Sequence, residues 1–489
     1  MNRDRLFLGS CFSLISTSIT FAVIGAILGP VRTEFALSNQ ELGYIGGASL
    51  FGFPLSIFVL GPLCDSLGMK NLMRFAVLCH FVGALLIMLT TGNAAFWMLF
   101  SGALILAIGN GTVEAVCNPL IATMYPDQKT KKLNQFHVWF PGGILIGGVT
   151  CFALDKVGIT DWRVKLTLIM IPTVVYAILF TRQEFTATER VQSGVSFGDM
   201  VRGALTRPLF IILLLCMCFT ASLELGPGRW LPPVLEAGGI AGILVLAYIN
   251  GLMAVLRSFA GPVIHRLSPT GILLASSVLA GVGLYMFSFA ESTVMAYVSA
   301  TVFGIGVCYF WPTMLGVVSE RVPKSGAFGL ALIGGTGMLM AGVVTVPLMG
   351  RIADSYVHER LEPADTRTTL QRMVVTYPAA AADKSEEVQK EVVEAVNAAN
   401  LVLATPLGLP EGETADALRL AIKANPGGEA ADNAVKDLHS VLDPADNYGG
   451  RMSFRYIAPF SIIIIIVFGI LYLRDKKAGG YKVESISTE

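Results

Sequence analysis

Twelve long apolar runs spaced along 489 residues limit what this chain can fold into. Crossing a ~30 Å hydrocarbon core takes about 20 residues of helix. Runs of that length lie near 7–29, 42–62, 71–91, 96–119, 134–154, 164–181, 208–226, 240–264, 269–289, 293–317, 326–350 and 454–473. In lipid every backbone amide must find its partner inside the protein, so such runs become helices. The sequence therefore predicts an all-α membrane protein with twelve transmembrane helices. Only 14% of the residues are charged, against about 25% in soluble proteins. Arg3 and Arg5 before the first run have the look of a signal peptide, but 7–29 is long enough to span and reads as the first helix.

Lys and Arg gather on one side of the predicted spans, among them Lys70, Arg74, Lys129, Lys131, Lys132, Arg182, Arg190, Arg266, Arg321 and Lys324. The positive-inside rule makes that side cytoplasmic. Both termini then face the cytosol, and the expected location is a bacterial inner (plasma) membrane. A polar break at 182–207 separates six spans from six. Gly61-Pro62 at the end of the second run recurs as Gly261-Pro262 at the end of the eighth, 200 positions on, and Asp155 recurs as Asp354 after 199. A shared offset predicts two parallel six-helix bundles. The expected units are 1–181 as the N-terminal bundle, 182–207 as a cytoplasmic linker, 208–350 as spans seven to eleven, 351–453 as an extracytoplasmic insertion, and 454–489 as the last span with a cytoplasmic tail. Val388, Val392, Val393 and Val396 predict a helix within 384–404 of the insertion. A second is expected near 414–423, between Pro410 and Pro426.

Composition also removes function classes. A net formal charge of zero gives no reason to expect nucleic-acid binding. All eight cysteines fall in apolar segments, without metal-ligand spacing or the look of a disulfide framework. No nucleophile–base pair, nucleotide loop or metal cluster stands out, so neither enzyme chemistry nor a cofactor is expected. The chain is expected to act as a monomer.

Glu114 interrupts the 96–119 run, where a carboxylate costs about 2.5–3.5 kcal/mol on insertion scales. Membrane proteins keep such a group for an ion, a proton or a polar substrate. Asn110, Glu114 and Asn118 stand at i, i+4 and i+8, on one helix face. Amides beside a carboxylate can hold sugar hydroxyls, and an intramembrane carboxyl group can exchange a proton. The same groups would equally serve a structural bond to a neighbouring helix. Glu224 in the seventh run is either a cavity group, a partner of Arg229, or solvated near the outer end. His137 lies one turn from Asn134 in the fifth run. Trp139, Phe310 and Trp311 could stack on a sugar ring or simply pack. Ser13, Ser16, Thr17 and Thr20 line one face of span one, which has no acidic residue inside its apolar stretch.

Gly61-Pro-Leu-Cys-Asp65-Ser-Leu-Gly68-Met-Lys70 resembles the loop 2–3 signature of the major facilitator superfamily. Glycines there allow close helix approach and a tight turn. The resemblance implies that Gly61, Asp65, Gly68 and Lys70 belong to an inner gate, with Asp65 accepting from a helix N-terminus or from an Arg across the two halves. Arg257-Ser-Phe-Ala-Gly261 is similar to the second-half copy, although His265 stands where an Asp is expected. Arg257 and Asp354 thereby join the gate and structural residues. Residues 109–121 with Lys132-Leu-Asn134-Gln resemble the Glu-x3-Asn-Pro…Leu-Asn pattern of the fucose:proton symporter family. So do Phe310-Trp-Pro312-Thr313 and the stretches 346–354 and 219–231.

The family resemblance implies the major facilitator fold, with the helical insertion between spans eleven and twelve. It also implies a secondary active transporter that imports a sugar or similar polyol by proton symport through alternating access. Glu114 and Glu224 would then carry the coupling ion. Asn110, Asn118, Asn134, His137, Phe310 and Trp311 would hold the substrate. Some family members carry an acidic residue in span one; its absence here leaves sodium coupling and facilitated diffusion open. An exporter of drugs or metabolites is another reading, as is a membrane sensor that uses 351–453.

Overall fold

A computed structural model describes residues 2–35, 37, 39–405 and 408–486; the end of the 454–489 segment lies outside them. Helix is the only extended regular structure among the described residues. The first half contains α1 (Arg3–Phe35), α2 (Asn39–Leu60), α3 (Met69–Met88), α4 (Ala95–Met124), α5 and α6 (Trp162–Phe180). The second contains α7 (Pro208–Ala237), α8 (Gly242–Ser258), α9 (Ala260–Phe287), α10 and α11. The α9 stretch is interrupted at Ser268, whose backbone is not helical. Eleven helical stretches are long and apolar enough to cross a membrane, and α8 is a shorter apolar helix of 17 residues. Together they give the twelve crossings.

Prolines set two of the breaks. α5 comprises Lys129–His137 and Trp139–Lys156, with Pro141 in the first turn of the second piece. α10 comprises Thr293–Val307 and Phe310–Arg321, with Pro312 in the same place. Proline has no N–H to give the carbonyl four residues back. In α5 that carbonyl belongs to His137, and in α10 to Cys308. α11 runs from Gly326 to Val357 and contains a π-helical segment, Met340–Thr345.

The 182–207 linker, expected only as a polar break, is partly helical. Thr188 caps the turn Glu189–Gln192, and Ser196 caps the amphipathic helix Phe197–Leu205, which buries Met200 and Ala204. The segment after α11 builds α12 (Pro363–Ala381), α13 (Glu386–Ala404), α14 (Glu413–Lys423) and α15 (Glu429–Ile457), which leads into α16 (Phe460–Lys477), the last span. α13 and α14 lie at the two expected helical stretches. α12 and α15 were not expected: α12 buries Thr366, Thr369 and Tyr377 beside Leu370 and Met373, and α15 carries a stripe of Ala431, Ala434, Leu438, Leu442 and Ala445 that sequence reasoning missed.

α12–α15 close over their own core, which includes Leu370, Met373, Tyr377, Val392, Leu418 and Leu438. They are also fastened to the second half. Asn447 Nδ2 donates to the Val234 carbonyl of α7 at 2.7 Å. Arg419 of α14 pairs with Asp354 of α11 at 2.9 Å and with Asp446 at 2.7 Å. Gly450 lies against Val234 so closely that a Cβ there would come 2.2 Å from its Cγ2.

The two halves meet through equivalent glycines. A Cβ on Gly61, at the end of α2, would lie 2.2 Å from that of Ala331 in α11. Gly261, its counterpart after α8, faces the Lys131 chain of α5, and a Cβ there would lie 3.1 Å from Lys131 Cε. Further bonds lock this side. Lys129 Nζ donates to Glu189 at 2.5 Å and to the Ser319 carbonyl at 3.1 Å. The Thr130 amide donates to Glu320 Oε1 at 2.9 Å. Both ends of the chain lie here, since the Asn2 amide donates to Gln183 and Tyr481 Oη to Glu320. On the opposite face Glu34 pairs with Arg163, and Glu291 with Arg451, each inside one half. The seam is thus closed on the face that carries both termini.

Candidate functional site

Five side chains from four helices converge where the halves meet. Glu114 and Asn118 come from α4, His137 from α5, Glu224 from α7 and Arg257 from α8; all are buried or nearly so. One helical turn places Asn118 beside Glu114, and Asn118 Nδ2 donates to Glu114 Oε2 at 2.6 Å. The same Nδ2 also donates to the Glu114 backbone carbonyl at 3.0 Å, which can only accept; this fixes the amide and leaves Asn118 Oδ1 facing His137 Nε2 at 3.1 Å. That nitrogen therefore carries the hydrogen. It stands 3.9 Å from Glu114 Oε2.

Arg257 joins the halves. Its Nη2 donates to Glu224 Oε1 at 3.0 Å. Its Nη1 donates to the His137 carbonyl at 2.9 Å, and its Nε to the Cys308 carbonyl. Those are the two carbonyls that Pro141 and Pro312 leave without a helical donor. One guanidinium thus satisfies a proline break in each half and a carboxylate between them. Among the described residues, Glu224 Oε2, Asn134 Oδ1 and Thr130 Oγ1 at this seam have no hydrogen-bond partner. The cluster holds two carboxyl groups against one guanidinium. Among the described residues no group of three or more His, Cys, Asp or Glu could hold a metal ion.

The other sequence-derived residues fall in three places. Asn134 Nδ2 donates to Thr313 Oγ1 of α10 at 3.2 Å, also across the seam. Asn110 turns away from Glu114: its Oδ1 is 2.9 Å from His80 Nε2 of α3. Eight residues of helix turn it about 80° away from Asn118. His80 also meets Tyr176 Oη at 3.0 Å and Ser16 Oγ at 3.3 Å, and Ser16 meets Thr173 at 2.7 Å. Of the hydroxyls on span one, Ser16 serves this polar network inside the first half, Ser13 and Thr20 bond back to their own helix, and Thr17 Oγ1 has no partner among the described residues. Phe310 and Trp311 are core residues, 0% and 8% exposed.

Asp65 meets neither Arg257 nor a helix end. It accepts from Arg190 of the linker at 2.6 and 2.9 Å and from Thr188 at 2.7 Å. Gly68 turns the chain into α3 at φ +81°, a left-handed geometry that favours glycine. Lys70 stands in the first turn of α3, and Asp354 is held by Arg419. Glu224 pairs with Arg257 rather than Arg229 because α8 brings the guanidinium to it. The sequence did hold a signal for the role of Arg257: a proline four residues after His137 and another four after Cys308. His80 and Arg190 had none.

The Major Facilitator Superfamily profile matches residues 6–346. The chain is a member of the Major Facilitator Superfamily. A D-xylose transporter of Levilactobacillus brevis is 28% identical over 178 residues, which is 36% of this chain and 36% of that protein. A gentisate transporter of Corynebacterium glutamicum is 23% identical over 69% of this chain and 78% of its own length. Among solved structures, the proton:xylose symporter XylE superposes with a TM-score of 0.60 at 13% identity, covering 72% of this chain and 90% of its own. The outward conformation of FucP gives 0.58 at 18%, covering 71% and 92%. This superfamily member is an integral membrane solute transporter, not an enzyme.

Proposed function

We propose that this transporter takes up a neutral polyol, such as a sugar, together with a proton. The chain Asn118–Glu114···His137···Arg257–Glu224 across the seam carries this reading. Glu114 exchanges the proton. Asn118, His137 and Asn134 offer amide and imidazole groups to hydroxyls, and the unpartnered Glu224 Oε2 accepts one. All three kinds of Arg257 nitrogen are already engaged, and carboxyl groups outnumber it two to one. Within this cluster a carboxylate substrate would therefore find no free cation, which favours a sugar over the aromatic acid named for the Corynebacterium relative; Arg229, further along α7, makes no ion pair among the described residues and is the cation an acid would have to reach. The names of the xylose and fucose carriers point the same way.

In this reading the face with both termini is cytoplasmic, the membrane is a bacterial inner membrane, and 351–453 lies outside. Asp65, Arg190, Lys129, Glu189 and Glu320 form the inner gate. Its closure makes the described state one that faces outward or is occluded. The units drawn from the sequence then act as two rocking bundles, a linker and an insertion carried by the second bundle.

Uptake by purified protein in liposomes, with proton or sodium gradients imposed in turn, tests the reading. A proton gradient should drive sugar accumulation, and Glu114→Gln should abolish it while counterflow exchange persists. Uphill accumulation by Glu114→Gln, or accumulation that follows sodium and survives a proton uncoupler, would overturn the proton assignment.

A further inference from the structure

Away from the seam, a groove opens between α3 and α6 at the face that carries both termini. Lys70 and Arg74 in the first turns of α3 and Arg182 just past the end of α6 rim it, and Met73, Val77 and Phe180 are among the apolar residues that line it. Three like charges at one groove repel each other, and a folded protein normally spaces or neutralises them. Here no ion pair to any of the three is found among the described residues. The nearby Asp65 is already held by Arg190 and Thr188. Arg182 also sits at φ +60°, a left-handed geometry that a non-glycine residue keeps only where its surroundings demand it.

We propose that this groove is a binding site for an anionic phospholipid. The shared chemistry is a phosphate group, met by an ammonium and two guanidinium groups, the last able to take two oxygens at once. The apolar lining decides between a lipid and a free anion. It runs along α3 and α6 away from the cationic rim, which gives an acyl chain a surface to lie on, and basic pockets between spans are where lipid headgroups are retained. The site lies on the outside of the first bundle and shares no residue with the Glu114–Glu224 cluster, so it does not depend on the substrate reading.

The full chain in phosphatidylcholine nanodiscs, with and without phosphatidylglycerol, tests this by native mass spectrometry after detergent extraction. Retained phosphatidylglycerol should fall roughly tenfold in K70Q/R74Q/R182Q. It should be unchanged in R266Q/K324Q/K476Q, which removes the same charge from the same face. An equal fall in both triple variants overturns the site and leaves general surface attraction. Retention unaffected by the first variant, with an unchanged melting temperature, also overturns it. Displacement of the lipid by inorganic phosphate or glycerol phosphate at comparable affinity would replace the lipid with a free anion.

Discussion

Replacing Arg257 with Met should be among the most damaging single changes in the membrane body. Arg257 is 1% exposed and its guanidinium serves Glu224 and the two carbonyls to which Pro141 and Pro312 give no N–H. Methionine keeps most of the volume, so packing contributes little to the difference. Removing one partner of a buried pair costs about 3–5 kcal/mol, because a charge is left uncompensated. Each orphaned carbonyl adds about 1 kcal/mol or more. Arg257→Met/Glu224→Met deletes the stranded carboxylate and should recover at least about 2 kcal/mol of that loss. Pro141→Ala in the Arg257→Met background returns an N–H to the His137 carbonyl and should regain about 1 kcal/mol, with little effect on its own. Detergent-induced unfolding followed by tryptophan fluorescence measures these variants and Glu224→Met in one series. A loss below about 1 kcal/mol for Arg257→Met, or strictly additive losses for it and Glu224→Met, would refute the shared role drawn here.

Other outcomes follow from named contacts. Asn118→Ala removes the 2.6 Å donor to Glu114 and should weaken apparent substrate affinity by about tenfold or more, read as KM in the liposome assay. Gly61→Val puts side-chain atoms where Ala331 sits, so the closed seam should open; faster alkylation of a cysteine placed at Ala331 would report it. Asp65→Asn breaks the Arg190 pair and should raise the same alkylation rate by about tenfold. In the insertion, Tyr377 Oη donates to the Ala421 carbonyl at 2.9 Å, and burial pushes its pKa up to about 12. A raised pKa keeps its stabilisation below pH 10 and loses it as the pH climbs toward 12. Hydrogen exchange in α12 and α14 should therefore accelerate over that window, and less so in Tyr377→Phe.

What could be read without coordinates was what lipid dictates. Run lengths gave the spans, because a helix must cover a fixed thickness. The 200-residue offset placed Gly61 and Gly261 in equivalent positions at the seam. Glu114 and Asn118 were legible because one turn of helix forces them together. Asn110 was misplaced by the same rule carried one turn too far. The partner of Asp65 was out of reach, since any of several loop cations could have folded back. Arg257 was assigned to the gate through its motif; the prolines of α5 and α10 marked the carbonyls it serves, but only the fold shows that α8 carries the guanidinium to both. Helix α12 escaped because its buried face mixes Thr366, Thr369 and Tyr377 with Leu370 and Met373, whereas the Ala431–Leu438–Leu442 stripe of α15 was legible and was missed.

The attachment of α12–α15 to one half has a mechanical consequence. Asn447, Gly450 and Arg419 weld this layer to α7 and α11, so it has no hinge of its own at those points. A tilt of the second bundle that moves its midplane residues only slightly must swing the far end of this layer through a larger arc. The insertion is in effect a pointer fixed to a turning axle. A pair of spin labels, one on α13 and one on a first-half loop of the same face, would read the rocking motion with amplification that no label inside the membrane could give.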